Sequence, residues 1–232
     1  MSDSTPYRLD WINDERSIQS FRDSLIVWGQ INFRSFPWRM TQDPYHTLIA
    51  EVMLHRTQVA QVVPIYQDFI KQYPNLKSLA RASLADLTKE LTPLGLHWRV
   101  NLIYKMVQTL AIKFNNFVPQ EKTDLLSLPG VNEYVACAVR CFSWNMPEAI
   151  VDTNTVRIVG RIFGWEVKDS SRRNKKFRMI LATLVDKVYP RVYNYALLDL
   201  AHLICTKRQP PACDICPIVG FCMTGQAFKH SL

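Results

Sequence analysis

The chain has 232 residues, 48% of them apolar, enough to bury one large core or two small ones, and its seven glycines argue against a string of flexible modules. A formal net charge of +8 makes a polyanion the first partner to consider. The polar opening MSDSTPYRLDWINDER lacks the apolar core of a secretory signal, and no run is long and apolar enough to span a membrane, so a soluble, intracellular protein with reduced thiols and no membrane partner is the expectation.

Apolar residues recur at three- and four-residue steps through Ile18, Phe21, Leu25 and Trp28, and the same stripe returns over Val59 to Tyr73, Leu102 to Phe114 and Phe177 to Val188. No alternating strand pattern persists for six residues. Prolines following Phe36, Asp43, Tyr73, Val118 and Tyr189 punctuate the sequence into about ten helices with short turns, which makes the fold class all-α. The first helix has nothing local to pack on and the C-terminal segment is too short to fold alone, so both chain ends are expected to build one smaller unit. Glu51 lies among apolar neighbours in Thr47 to Leu54, where burial would raise a carboxyl pKa and suit it to protonate a leaving group. The plainer alternative is a helical pair with His55 or a solvated edge residue.

Leu128-Pro129-Gly130-Val131 forms a tight turn between a short helix over Thr123 to Ser127, capped by Thr123, and a helix over Glu133 to Phe142. Glycine allows close backbone approach, and the N–H groups opening the second helix can hold a phosphate without any side chain. Cys137 and Cys141 on that helix read as small buried residues. Further on, the apolar run Ala149-Ile150-Val151 ends in Asp152, which reads as the N-cap of a helix through Val156, Ile158, Val159 and Ile162. A cap facing a substrate can also be its only carboxylate.

The C-terminal region holds Cys205, Cys213, Cys216 and Cys222, with seven, two and five residues between them. Four thiolates so close, with no histidine among them, suit an iron-sulfur cluster or zinc. Zinc would ordinarily show two C-x2-C pairs and only one is present, an asymmetry that favours a 4Fe-4S cluster. Disulfides are the third reading, disfavoured by the intracellular setting and by the closeness of Cys213 and Cys216.

The motifs FPWR with DPYHTLIAEVML, LPGVNEYVACAV, VDTNTVRIVGR and the four cysteines stand in one order over Phe33 to Cys222. In this the chain resembles the helix-hairpin-helix DNA glycosylases of the endonuclease III superfamily. The resemblance implies a two-lobed, all-α protein: a six-helix barrel domain with the hairpin over residues 43–152, and a cluster domain over 15–42 plus 153–232. It further implies a base pocket in the cleft between them, a 4Fe-4S cofactor on the four cysteines, and a partner that is duplex DNA carrying a mismatched or damaged base. A monomer is expected.

By that resemblance Asp152 matches the essential aspartate, an ionised carboxylate that stabilises the oxocarbenium-like sugar or orients the attacking water. Tyr134 stands where lyase members carry the Schiff-base lysine, so the reaction should use water and stop at the abasic site. Glu51 matches a glutamate shared by adenine and T:G mismatch glycosylases. His55 and Asn154 are expected to support the pocket. Arg56 is placed to read the orphaned guanine, an arginine contact common at that base. Leu128, Gly130, Val131 and Asn132 in the hairpin, with Lys207 and Arg208 in the cysteine loop, are the expected DNA-backbone contacts.

Two segments depart from the adenine glycosylase pattern: His55-Arg56-Thr57 replaces Gln-Gln-Thr, and Leu96-His97-Trp98-Arg99 replaces a Tyr-Tyr pair after Gly95. They favour thymine or uracil opposite guanine, with adenine excision as the alternative. Asn132 and Glu133 stand where a glycine and a basic residue are usual; asparagine tolerates a left-handed backbone, while an acid weakens phosphate binding. From another class, a DNA-binding module without catalysis would use the basic run Lys168 to Arg178; the retained Asp152 and Glu51 speak against it.

Overall fold

A computed structural model describes residues 10–95, 97–207 and 210–229. Arg208, one of the expected DNA contacts, lies outside the described residues. Among them the fold is all-α, as expected, with twelve α-helices and no strand. The chain divides into two units, one of residues up to Arg34 together with Pro147 onward, the other of Ser35–Met146.

The second unit carries α2 (Pro44–Leu54), α3 (Val59–Gln72), α4 (Leu76–Leu79), α5 (Leu84–Leu91), α6 (His97–Lys113), α7 (Lys122–Leu126) and α8 (Glu133–Trp144). Asp43 caps α2 by accepting from the Tyr45 N–H, and Pro44 occupies the first turn, where its missing N–H costs nothing. Leu48, Met53, Val62, Phe69, Leu87, Met106 and Val139 meet in its core. α2 packs along α8, and Ser143 Oγ donates to Thr47 Oγ1 at 3.0 Å between them.

The first unit contains α1 (Glu15–Ile31), α9 (Thr153–Phe163), α10 (Lys175–Leu184), α11 (Pro190–Leu203) and α12 (Met223–Lys229). The N-terminal helix does find its partner far away in sequence: α1 lies on α11 so closely that a Cβ at Gly29 would come within 2.3 Å of Ala196 Cβ. Buried Arg22 on α1 donates to the carbonyls of Thr183 and Leu184, satisfying the open end of α10.

Several boundaries differ from the sequence reading. The units divide at 34/35 and 146/147 rather than at 42/43 and 152/153. Trp38 explains the first shift, since it is buried in the Ser35–Met146 core with its ring edge against Tyr66. Asn194 of α11 explains the second, because its side chain accepts from the Ile150 N–H and donates to the Glu148 carbonyl. The apolar stripe through Val188 ends as helix at Leu184, because Asp186 Oδ1 takes the N–H groups of Val188 and Tyr189 into a turn. Glu121, not Thr123, occupies the N-cap position of α7.

Candidate active site

Asp152 is the N-cap of α9 and is tied at both oxygens. Oδ1 accepts from the N–H groups of Asn154 and Thr155 at 2.8 Å each, and Thr155 Oγ1 accepts from the Asp152 N–H at 3.0 Å to complete a capping box. Oδ2 accepts from Asn154 Nδ2 at 2.7 Å. The carboxylate is half-buried, and these three donors at the helix start hold its two oxygens in place.

Asn154 is in turn held by Arg157, which donates to Asn154 Oδ1 at 3.1 Å, to the Cys205 carbonyl at 3.0 Å and to the Ala201 carbonyl at 2.8 Å. One turn along α9, Arg161 donates to Cys205 Sγ at 3.1 Å and to the Thr206 carbonyl at 2.8 Å. The Arg161 carbonyl accepts from the Cys222 thiol and from Thr224 Oγ1. Neither arginine was singled out from sequence. A cation repeated at i and i+4 on a helix leading to a cysteine cluster was the available signal.

All four C-terminal cysteines line one small cavity with Ile158, Ile162 and Leu200. Burial pushes the thiols of Cys216 and Cys222 up to about 12 and about 11, reinforced by the neighbouring sulfurs, and Cys213 shifts the same way. All six cysteines of the chain are unbridged. Among the described residues no set of three or more His, Cys, Asp or Glu is drawn together to hold a single metal ion. The chemistry of this wall, four sulfurs on an apolar cavity with one guanidinium donating to a sulfur, fits a multi-atom cluster of net negative charge. The Cys205–Cys213 interval closes as a loop through the Ala212 N–H and the Ile204 carbonyl, and Lys207 is exposed on it. Cys137 and Cys141 are buried on α8, in the other unit.

In that other unit, Glu51 lies on the face of α2 that also carries Thr47 and is 5% exposed, among apolar neighbours. Tyr134, in the first turn of α8, is half-buried and packs on the core. The preceding hairpin turn is closed by the Val131 N–H on the Leu128 carbonyl. Leu128 and Val131 bury their side chains, so at these two positions the turn presents backbone rather than side chain. Gly130 has φ +82°, a backbone that favours glycine, and an added Cβ would stand a tight 3.3 Å from Leu102 Cβ.

Asn132 corrects one expectation and Glu133 another. Asn132 is extended at φ −103°, not left-handed, and its side chain caps α8 by accepting from the Val135 N–H. Glu133 is matched by Lys122 at 2.7 Å, so the acid beside the hairpin has a cation from the helix that precedes it.

Arg56 is the exposed tip of the turn after α2, with φ +63°. Its flanking residues are gripped by Arg99 of α6, which is 4% exposed. Arg99 Nη1 donates to the Met53 carbonyl at 2.6 Å, Nη2 to the His55 carbonyl, and both to Thr57 Oγ1 at 3.2 Å. His55 ends α2 and sets its ring edge-on to Trp98. Burial depresses the pKa of Arg99, yet three main-chain and hydroxyl acceptors keep the cation in place.

These motifs match the family model described as "HhH-GPD superfamily base excision DNA repair protein" over residues 49–200. The chain belongs to the HhH-GPD superfamily. It is a base-excision DNA glycosylase. The thymine/uracil-DNA glycosylase of Pyrobaculum aerophilum is 35% identical over 207 residues, 86% of this chain and 89% of that protein. The adenine DNA glycosylase of Buchnera aphidicola is 33% identical over 207 residues, but this chain spans only 57% of it. The solved structure of a thermostable thymine-DNA glycosylase superposes with a TM-score of 0.85 at 28% identity, covering 92% of this glycosylase and 98% of the other chain. No described helix is long and apolar enough to cross a membrane.

Proposed function

We propose that this glycosylase excises thymine or uracil opposite guanine from duplex DNA by hydrolysis, leaving an abasic site. The observation that carries the reading is Arg56, an arginine held outward in a left-handed turn where its guanidinium can donate to the guanine left behind. The near full-length likeness to the thymine/uracil-DNA glycosylase supports it.

In this reading a flipped nucleotide leaves the stack at a cost of a few kcal/mol, least where it is mispaired. The Asp152 carboxylate, immobilised by Asn154 and Thr155, lies against the positive charge that develops on the sugar, and orients the attacking water. Glu51, on its apolar helix face, delivers the proton that the departing base needs. Tyr134 lacks an amine and forms no imine, so no strand cleavage follows. The backbone of Leu128, Gly130, Val131 and Asn132 and the Lys207 ammonium bind phosphates. Asn154 and His55 position their neighbours. Cys205, Cys213, Cys216 and Cys222 would hold a 4Fe-4S cluster, whose bonds to the four thiolates would pin the loop bearing Lys207.

The test is single-turnover incubation with duplexes carrying T, U or A opposite each partner, followed by alkali. Fast release of T and U opposite guanine, with intact strands before alkali, is the expected result. Preferential release of adenine would replace this reading with the adenine glycosylase alternative that the Buchnera relative represents.

A further inference from the structure

A non-glycine residue at φ +63° is costly, by about 1–2 kcal/mol, and such strain persists only where its surroundings enforce it. Around Arg56 the enforcer is visible. Arg99 takes hold of the turn on both sides, at the Met53 and His55 carbonyls before Arg56 and at the Thr57 hydroxyl after it. The two carbonyls belong to the last turn of α2 and to its C-cap His55, where acceptors lack helical partners. The planar fork of one guanidinium meets acceptors that a lysine's point charge would not span.

The arrangement is poor value as a stability device. It buries a cation almost completely, and the Arg99 Nε–H is buried with no hydrogen-bond partner. What it does achieve is a fixed backbone on either side of an exposed arginine.

We propose that Arg99 is a positioning residue for opposite-base recognition: it preorganises Arg56 to engage the orphaned guanine, and so sets the preference for guanine rather than the chemical step. This rests on the proposed function, in which Arg56 reads that guanine. Fixing the turn removes the cost of ordering its backbone upon binding and sets where the Arg56 side chain starts from, which is why the effect should appear as discrimination.

The experiment measures single-turnover uracil release opposite guanine and opposite adenine for the wild type, Arg56→Ala, Arg99→Lys and the double variant, with thermal melting of each. Arg99→Lys should lower the guanine-to-adenine rate ratio about tenfold. The double variant should match Arg56→Ala alone, because Arg99 acts only through Arg56. A merely structural role would slow both substrates together, leave the ratio unchanged and overturn the inference; so would additive effects in the double variant. If Arg99→Lys does not fold, Thr57→Val removes one acceptor of the grip and should lower the ratio in the same direction, with an unchanged ratio counting against the inference. A wild-type enzyme indifferent to the opposite base overturns the proposed function and this inference with it. A wild type whose preference depends on Arg56 but not on Arg99 overturns the inference alone.

Discussion

Asn154 holds Asp152 by two separate bonds, its backbone N–H on Oδ1 at 2.8 Å and its Nδ2 on Oδ2 at 2.7 Å. The first bond needs only an acceptor, so Asp152→Asn keeps the helix cap. The second sets amide against amide, and its loss should cost about 1 kcal/mol. Excision should nonetheless fall by about two to three orders of magnitude, because the negative charge is gone. Melting, binding to a mismatched duplex and single-turnover rates measured together check the split; a wild-type rate would reduce Asp152 to a cap.

Tyr134 sits in the first turn of α8 with its ring on the core. Tyr134→Lys should introduce an amine able to attack the sugar, so that borohydride traps a covalent complex which the wild type does not form. Trapping of the wild type would mean that another amine serves as nucleophile.

Gly130→Ala should cost about 1–2 kcal/mol, from the left-handed backbone at φ +82° and the crowding against Leu102. In a chain of this size that lowers the melting temperature by several degrees. In the proposed reading this turn binds phosphate through its backbone, so displacing it should lower affinity for any duplex regardless of mismatch. Gel-shift titrations with matched and mismatched duplexes check this.

Lys207, exposed on the loop that follows Cys205, should contact one phosphate. Lys207→Ala should therefore weaken all duplexes alike and reduce the slope of log K against log salt by about 0.9. An effect confined to mismatched DNA would contradict a backbone role.

The purified protein should carry iron and sulfide, and Cys216→Ser should lose both together with several degrees of thermal stability, since only three of the four thiols lining the cavity then remain. Stoichiometric zinc without iron would replace the cluster assignment with a zinc site.

Much of this architecture is written locally. The 3.6-residue stripes, Asp152 as a cap, and the turn at Gly130 depend on groups within four residues of one another, so the sequence alone determined the helical class, the approximate course of the helices and the turn before α8. The ordered motifs likewise identified the family. What the local pattern did not contain were partners distant in the chain. Arg99 reaches across 44 residues to the His55 carbonyl, and Arg157 across 48 to that of Cys205. The C-terminal end of α10 and the limits of the two units were likewise decided by Asp186, Trp38 and Asn194. A guanidinium or a buried carboxylate is held by whichever carbonyls and N–H groups packing brings near it, and spacing along the chain does not encode that. Hence candidate DNA contacts could be named from sequence, whereas the residues that hold the turns bearing them emerged only in three dimensions.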